Sequence, residues 1–178
     1  MLLIPKGLII SITGQNPRRF LGIDDENEIE IGNIEEYCSN IDSFDLIYSF
    51  GVLHHTPNIH KALENIYAML KPGGYFKCML YAKNSWKYFK ILDGLDQYEA
   101  QAGCPYAKSY AKNEIYDLLG EKFHVERIRQ DHCFMYNVDA YKQGRYELEP
   151  WFEAMPEAMR EAVKEYLGWH LLVKARKI

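Results

Sequence analysis

The stretch from Ser43 to Tyr81, S-F-D-L-I-Y-S-F-G-V-L-H-H-T-P-N-I-H-K-A-L-E-N-I-Y-A-M-L-K-P-G-G-Y-F-K-C-M-L-Y, leaves this chain few folds to choose from. Phe44 to Phe50 is almost wholly apolar or aromatic, without the polar alternation of a half-exposed strand, and it is too short for a stable helix. Such a run predicts a strand covered on both faces. Ile59, Ala62, Leu63, Ile66, Met69 and Leu70 then recur at three- and four-residue spacing, while Lys61, Glu64 and Asn65 fall on the other side. That stripe predicts a helix packed on the sheet. Thr56 before Pro57 fits an N-cap, Lys71-Pro72-Gly73-Gly74 breaks the helix, and Tyr75 to Tyr81 is the next buried strand. A parallel pair joined this way forms a right-handed crossover, and open sheets of this kind hold ligands beyond the carboxyl ends of their strands. The loop Gly51 to Thr56 is therefore expected at the functional edge.

Composition narrows the class. At 178 residues with 48% apolar and 14% aromatic side chains, one core can form that buries roughly two thirds of the unfolded surface. A formal charge of -4 and a pI near 5.9 give no basic footprint for nucleic acid, and no run approaches the roughly 18 to 20 apolar residues that span a bilayer. Met1 to Ile12 has Lys6 as its only charge and no small-residue cleavage site, which argues against a secretory signal. Cys38, Cys78, Cys104 and Cys133 are widely spaced. Disulfides and metal stay open on spacing alone, with reduced thiols of a cytoplasmic protein the favoured reading.

Along the chain, Leu8 to Thr13 reads as a strand, Arg18 to Leu21 as a short helix, and Glu28 to Ile31 alternates as a half-exposed strand suited to a sheet edge. Trp86, Phe89, Leu92 and Leu95 sit at helical spacing and predict a helix from Asn84 to about Ala100. Lys112 to Leu119 reads as a helix closed by Gly120, Phe123 to Gln130 as a strand, and Trp169 to Ala175 as the last strand. Between those two strands a helix is expected from about Glu157 to Leu167, with Ala158, Met159, Ala162, Val163, Tyr166 and Leu167 facing one way.

Three blocks of sequence carry a family resemblance. F-D-L-I-Y-S-F-G-V-L-H-H-T-P, a helix and L-K-P-G-G-Y-F resemble the middle of class I S-adenosylmethionine-dependent methyltransferases. G-C-P-Y-A-K-S-Y, D-H-C-F-M-Y and G-W-H-L-L-V resemble the small-molecule, type 11-like members that carry a cap before the last strand. The resemblance covers about Glu28 to Arg176. It implies an α/β, Rossmann-like, mostly parallel sheet with an antiparallel last strand, as a single domain with a helical and aromatic cap at about 131-168. The expected strand order is 28-32, 8-13, 44-50, 75-81, 169-175, 123-130, with Leu8 to Thr13 filling the slot beside Asp45 to Phe50.

The resemblance also implies a site. Asn33 stands where the family has an acid that accepts from the adenine amine, with a turn cap as the alternative. Ile34 would wall the adenine or simply pack in the core. Phe50 and Gly51 would lie against the cofactor, glycine allowing close backbone approach. His54 and His55 with His60 invite a metal reading, but adjacent residues point apart and no carboxylate or cysteine stands at ligand spacing. By resemblance His54 lines the cofactor side, and His55 contacts cofactor or substrate unless it only ties down its loop. His132 beside Asp131 has the make-up of an oriented imidazole base, with a structural histidine as the alternative. Tyr110, Tyr136, Tyr141 and Trp151 would form an aromatic substrate wall, with plain packing as the other reading.

Two of the family's grips are missing. No G-x-G occurs anywhere in the chain, and Met1 to Ile23 contains no acid for the ribose hydroxyls. The resemblance therefore implies a chain truncated, split or rearranged at its N-terminus, with weak or absent S-adenosylmethionine binding. The leading expectation is a methyltransferase acting on a small molecule. The alternative is a non-catalytic methyltransferase-like module whose partner supplies the missing segment.

Overall fold

The computed structural model describes residues 2–3, 9–11, 29–31, 33–36, 41–94 and 106–178. The expected helix at Arg18 to Leu21, the far end of the Asn84 helix, and Cys38 and Cys104 lie outside the described residues.

One mixed sheet organises the described residues. Its strands are β1 Leu2–Leu3, β2 Ile9–Ser11, β3 Ile29–Ile31, β4 Phe44–Phe50, β5 Leu70–Ala82, β6 Ser109–Tyr110, β7 Phe123–Asp131 and β8 His170–Lys177. They lie in the order β3-β2-β1-β4-β5-β8-β7, with β6 paired to β5. β4, β5 and β6 are parallel neighbours, β2 is parallel to β3, and β8 runs antiparallel between β5 and β7. This is the Rossmann-like arrangement with an antiparallel last strand.

The slot beside β4 is filled otherwise than expected. Leu2–Leu3 takes it, antiparallel, pairing with Ser49 and Tyr48 on one side and with Ile10 and Ile9 on the other. Ile9–Ser11 therefore stands one strand further out, not hydrogen-bonded to Asp45–Phe50. Antiparallel strands can join through a few residues, whereas parallel neighbours need a crossover of about a dozen or more. A strand of two residues is too short to show any periodicity. The underlying demand, that the apolar edge of β4 be paired, is met all the same.

Six helices among the described residues follow from local signals. They are α1 Ile59–Met69, α2 Trp86–Leu92, α3 Lys112–Leu119, α4 Val138–Lys142, α5 Pro150–Glu153 and α6 Glu157–Leu167. The cap of α1 is Asn58 rather than Thr56: its side chain accepts from the Lys61 N–H at 3.2 Å, and Thr56 instead ends a 3-10 turn at Leu53–His55. Ser85 caps α2 through the Tyr88 N–H at 3.1 Å. That helix stops at Leu92, short of Ala100, with Gly94 in the left-handed region at φ 86°.

α1 and α3 cover one face of the sheet. Ile47, Ile66, Met69, Phe76, Leu80, Ile115, Leu171, Val173 and Ala175 meet there in the main core, each large aliphatic side chain contributing about 1.5–3 kcal/mol by leaving water. α2 covers the carboxyl half of the opposite face, where Tyr88 and Ile91 pack on Met79, Tyr81 and Trp169. Of the expected stripe Trp86 is buried, together with Lys87, while Phe89 and Leu92 stand exposed. α6 packs against β7, the last strand of the sheet, so that this edge is shielded. In α6 it is Val163 and Leu167 that reach an apolar cluster, while Met159 and Tyr166 are exposed.

Candidate active site

The register brings three strand ends into one row. Tyr81 of β5 lies opposite His170 of β8, which lies opposite Asp131 of β7. Beside this row β4 ends at Phe50, and the chain turns through Gly51 with φ 75°, where a Cβ would meet nothing within 4 Å. The Phe50 ring stays exposed and meets His170 edge-on, ring centres 5.8 Å apart.

The 3-10 turn then sets His54 and His55 edge to face, in contact rather than pointing apart as expected for neighbours. His54 is completely buried, its ring centre 3.7 Å from that of Tyr81 and 4.3 Å from that of His55. Burial first, and the neighbouring His55 second, lower its pKa to about 3. The Met79 backbone favours the charged form, but neither ring nitrogen makes a hydrogen bond of proper geometry. The Ser49 hydroxyl, one residue before Phe50, is likewise buried and unpartnered. Orphaned polar atoms of this kind are uncommon and call for an explanation. His55 is half-buried, with Nδ1 2.9 Å from the Tyr106 carbonyl. A carbonyl can only accept, so Nδ1 carries the proton and Nε2 the lone pair.

His132 stands just past β7 at φ 65°, an uncommon backbone for a residue other than glycine. Its N–H donates to Asp131 Oδ1 at 2.7 Å, while the other carboxylate oxygen takes Arg129 at 2.9 Å. The imidazole lies flat on His170, ring centres 4.3 Å apart and planes 5° from parallel. Burial, then His132, then Lys87 lower the His170 pKa to about 3. From there rings continue through Phe134, Tyr136 and Tyr141 into the connection between β7 and β8.

That connection forms a cavity of about 300 Å3 against α2, lined by Trp86, Lys90, Tyr136, Tyr141, Glu149 and Trp151. Three of the four expected wall residues are thus together. Tyr110 is not among them: it is buried in the main core, with its hydroxyl pKa raised by burial first and then by Tyr106 and Glu114. Asn33 acts in a turn, where its Oδ1 accepts the Glu35 N–H at 3.0 Å. Ile34 is 2% exposed and packs in the main core, with its carbonyl accepting from Asn65 Nδ2 at 2.8 Å. Glu35 in turn accepts the Asn58 N–H at 3.0 Å, so the start of α1 holds this turn in place.

No three His, Cys, Asp or Glu side chains come together as metal ligands among the described residues. Cys78 and Cys133 are free and buried, and burial pushes both thiols up to about 12. No helix of the described residues is long and apolar enough to cross a membrane.

The profile of a methyltransferase domain matches residues 14–144. The chain belongs to the methyltransferase-domain family. Its sheet order is that of the class I methyltransferase fold. Its fold resembles that of an S-adenosylmethionine-dependent methyltransferase from Mesorhizobium loti, at 18% identity and a TM-score of 0.61, over 96% of this chain and 79% of that one. A chain of a complex between the Haloferax volcanii Trm112 methyltransferase activator and a methyltransferase is similar at 20% identity and a TM-score of 0.65, over 97% of this chain and 71% of that one. A highly reducing polyketide synthase of Emericella nidulans is 40% identical over 63 residues, 35% of this chain. The chain spans 2% of that synthase.

The residues that tie the two halves of the candidate site together, Tyr81, Trp86, Lys87, Trp169 and His170, escaped the sequence reading as site candidates. Lys87 is 1% exposed, with its ammonium 5.7 Å from the Trp169 ring and 5.9 Å from that of Tyr141. A usable signal existed: if the last strand is antiparallel to β5, Trp169-His170 must start opposite the end of β5.

Proposed function

We propose that this methyltransferase acts on a small molecule bound in the aromatic cavity between α2 and the segment at about 131–168, which caps a single domain. The observation that carries the reading is the run of ring contacts from His55 through Tyr81 to His170, with Phe50 edge-on to His170 and His132 stacked on it, at the carboxyl ends of β4, β5 and β7.

When bound, S-adenosylmethionine supplies a methyl group activated by its positively charged sulfur. The residues here fit it in part. The open space over Gly51, the exposed Phe50 ring and the Asn33 amide would take its methionine and adenine ends, with Ile34 and His54 as packing behind them. No acid in Met1 to Ile23 and no G-x-G loop serve the ribose and carboxylate, so the grip is expected to be weak.

His55 is the first choice of base. Its Nδ1–H is held by the Tyr106 carbonyl, which aims Nε2 and fixes the tautomer able to take the acceptor's proton. His132 is the second candidate, kept in place by its stack on His170. Tyr136, Tyr141 and Trp151 supply the acceptor wall, and His54 and His170, both neutral, add no charge of their own at this end of the sheet.

The missing cofactor grips favour a second reading, a methyltransferase-like module that binds a partner without catalysis. Transfer of labelled methyl to a panel of small phenols and amines separates the two. Catalysis with His55 as base requires that His55→Gln lower kcat by about 10²–10⁴-fold and remove the acid limb of the pH profile. Undiminished transfer would rule out His55, and no transfer to any phenol or amine would favour the module.

A further inference from the structure

The sheet face opposite the main core carries a row of like charges. Tyr48 of β4, Lys77 of β5, Lys174 of β8 and Arg127 of β7 lie directly opposite one another in register. Among the described residues α2 covers the carboxyl half of this face, and Lys77 and Arg127 of the row are exposed. Cations directly opposite one another destabilise a sheet, and nothing in the fold requires three in a line. Lys174 is compensated by Glu126 at 2.6 Å. Lys77 and Arg127 have no ion pair among the described residues, and Glu161 and Glu165 of α6 share a shallow cavity with Arg127 without pairing to it. In a chain of net charge -4, this concentration of positive charge runs against the average.

The row borders a groove of about 330 Å3 whose floor includes Tyr48 and Leu172. Sheets with parallel strands are ordinarily covered on both faces, and here an apolar floor beside unpaired cations faces solvent. We propose that the groove docks an acidic amphipathic segment of a partner polypeptide, with apolar side chains on Tyr48 and Leu172 and carboxylates on Lys77, Arg127 and Lys174. Single-stranded nucleic acid would need free rings for its bases. Tyr75 lies beneath the Lys174 ammonium at 4.4 Å, while Tyr48 and Phe50 line the groove, so an oligonucleotide is the rival ligand that the experiment must compare.

The test is fluorescence anisotropy with a labelled helical peptide of about 18 residues, a leucine stripe flanked by glutamates. The same peptide with its leucines scrambled and a poly(U) oligonucleotide of equal charge serve as comparisons. The amphipathic peptide should bind most tightly, and the double variant Lys77→Glu, Arg127→Glu should weaken it by at least about tenfold, as high salt should too. The free double variant should melt no lower than the parent, because it relieves the like-charge row. Lys77→Gln with Arg127→Gln gives the same reading should charge reversal prevent folding. Tighter binding of poly(U), equal binding of the scrambled peptide, no binding, or a glutamine variant that melts several degrees lower would each overturn the proposal.

Discussion

His54 and His170 are both held neutral far below the pH at which an exposed imidazole titrates, with pKa values near 3. Their folded values lie below the unfolded value of about 6.5, so between those limits the unfolded chain binds more protons. The stability they confer is complete above about pH 6.5 and falls as the pH drops towards 3, by roughly 2–3 kcal/mol for each ring at pH 4.5. Urea midpoints at pH 7 and 4.5 should show this loss, and His54→Phe, which keeps a ring against Tyr81, should remove about half of it. An equal loss in the variant would mean that His54 is not the titrating group. Gly51 at φ 75° makes a second case. Gly51→Val has room for its side chain but not for its backbone, so it should cost about 1–2 kcal/mol by thermal melting. The histidine pair and Gly51 were legible in the sequence as candidates, but which histidine is buried was not. That depends on Tyr81 and His55 closing over one ring, a tertiary fact with no local signature.

The junction of α6 with β8 holds the cap to the sheet. Gln130 of β7 is buried, and its Nε2 donates to the Asn84 carbonyl at 2.5 Å and to the Gly168 carbonyl at 2.6 Å. Gln130→Leu strands the buried Gly168 carbonyl and the part-buried Asn84 carbonyl and should cost about 1–3 kcal/mol in chemical denaturation; a cost below about 0.5 kcal/mol would show that water reaches them. At Gly168 a Cβ would come within 2.2 Å of the Asp131 carbonyl oxygen and 2.5 Å of that of Lys164, both backbone. Gly168→Ala should therefore lower the melting temperature by about 5 °C or more, and a neutral result would mean that the α6–β8 junction yields easily. Helices α1, α3 and α6 were legible because each has an apolar stripe at helical spacing. Which residues of α2 and α6 face inward was less so: Phe89, Leu92, Met159 and Tyr166 are exposed although they lie at stripe positions. Periodicity reports that a helix has an apolar side, while the depth to which that side is buried depends on what packs there, in α6 a narrow cluster around Trp86, Cys133 and Phe152.

At the scale of the molecule, the order of strands from β4 to β7 follows from the middle of the sequence. β4, α1 and β5 form one right-handed unit, and an antiparallel β8 inserted before β7 completes the sheet around it. The N-terminal side was legible only in part, because Leu2–Leu3 pairs with β4 through two residues that no pattern marks. On the proposed reading a cofactor and a flat acceptor meet at this end of the sheet, while the sequence has no G-x-G loop and no acid in Met1 to Ile23. A charged acceptor is worth about 1.5–3 kcal/mol for each hydrogen bond, and each 1.4 kcal/mol is a factor of ten in affinity. Two ribose hydroxyls then account for about two to four powers of ten. Titration calorimetry of S-adenosylhomocysteine into the 178-residue chain, beside a family member that has both grips, tests this directly. The expected result is a dissociation constant at least about a hundredfold weaker for this chain. Affinities equal within a factor of about ten would contradict it, and would mean that other residues have rebuilt the pocket.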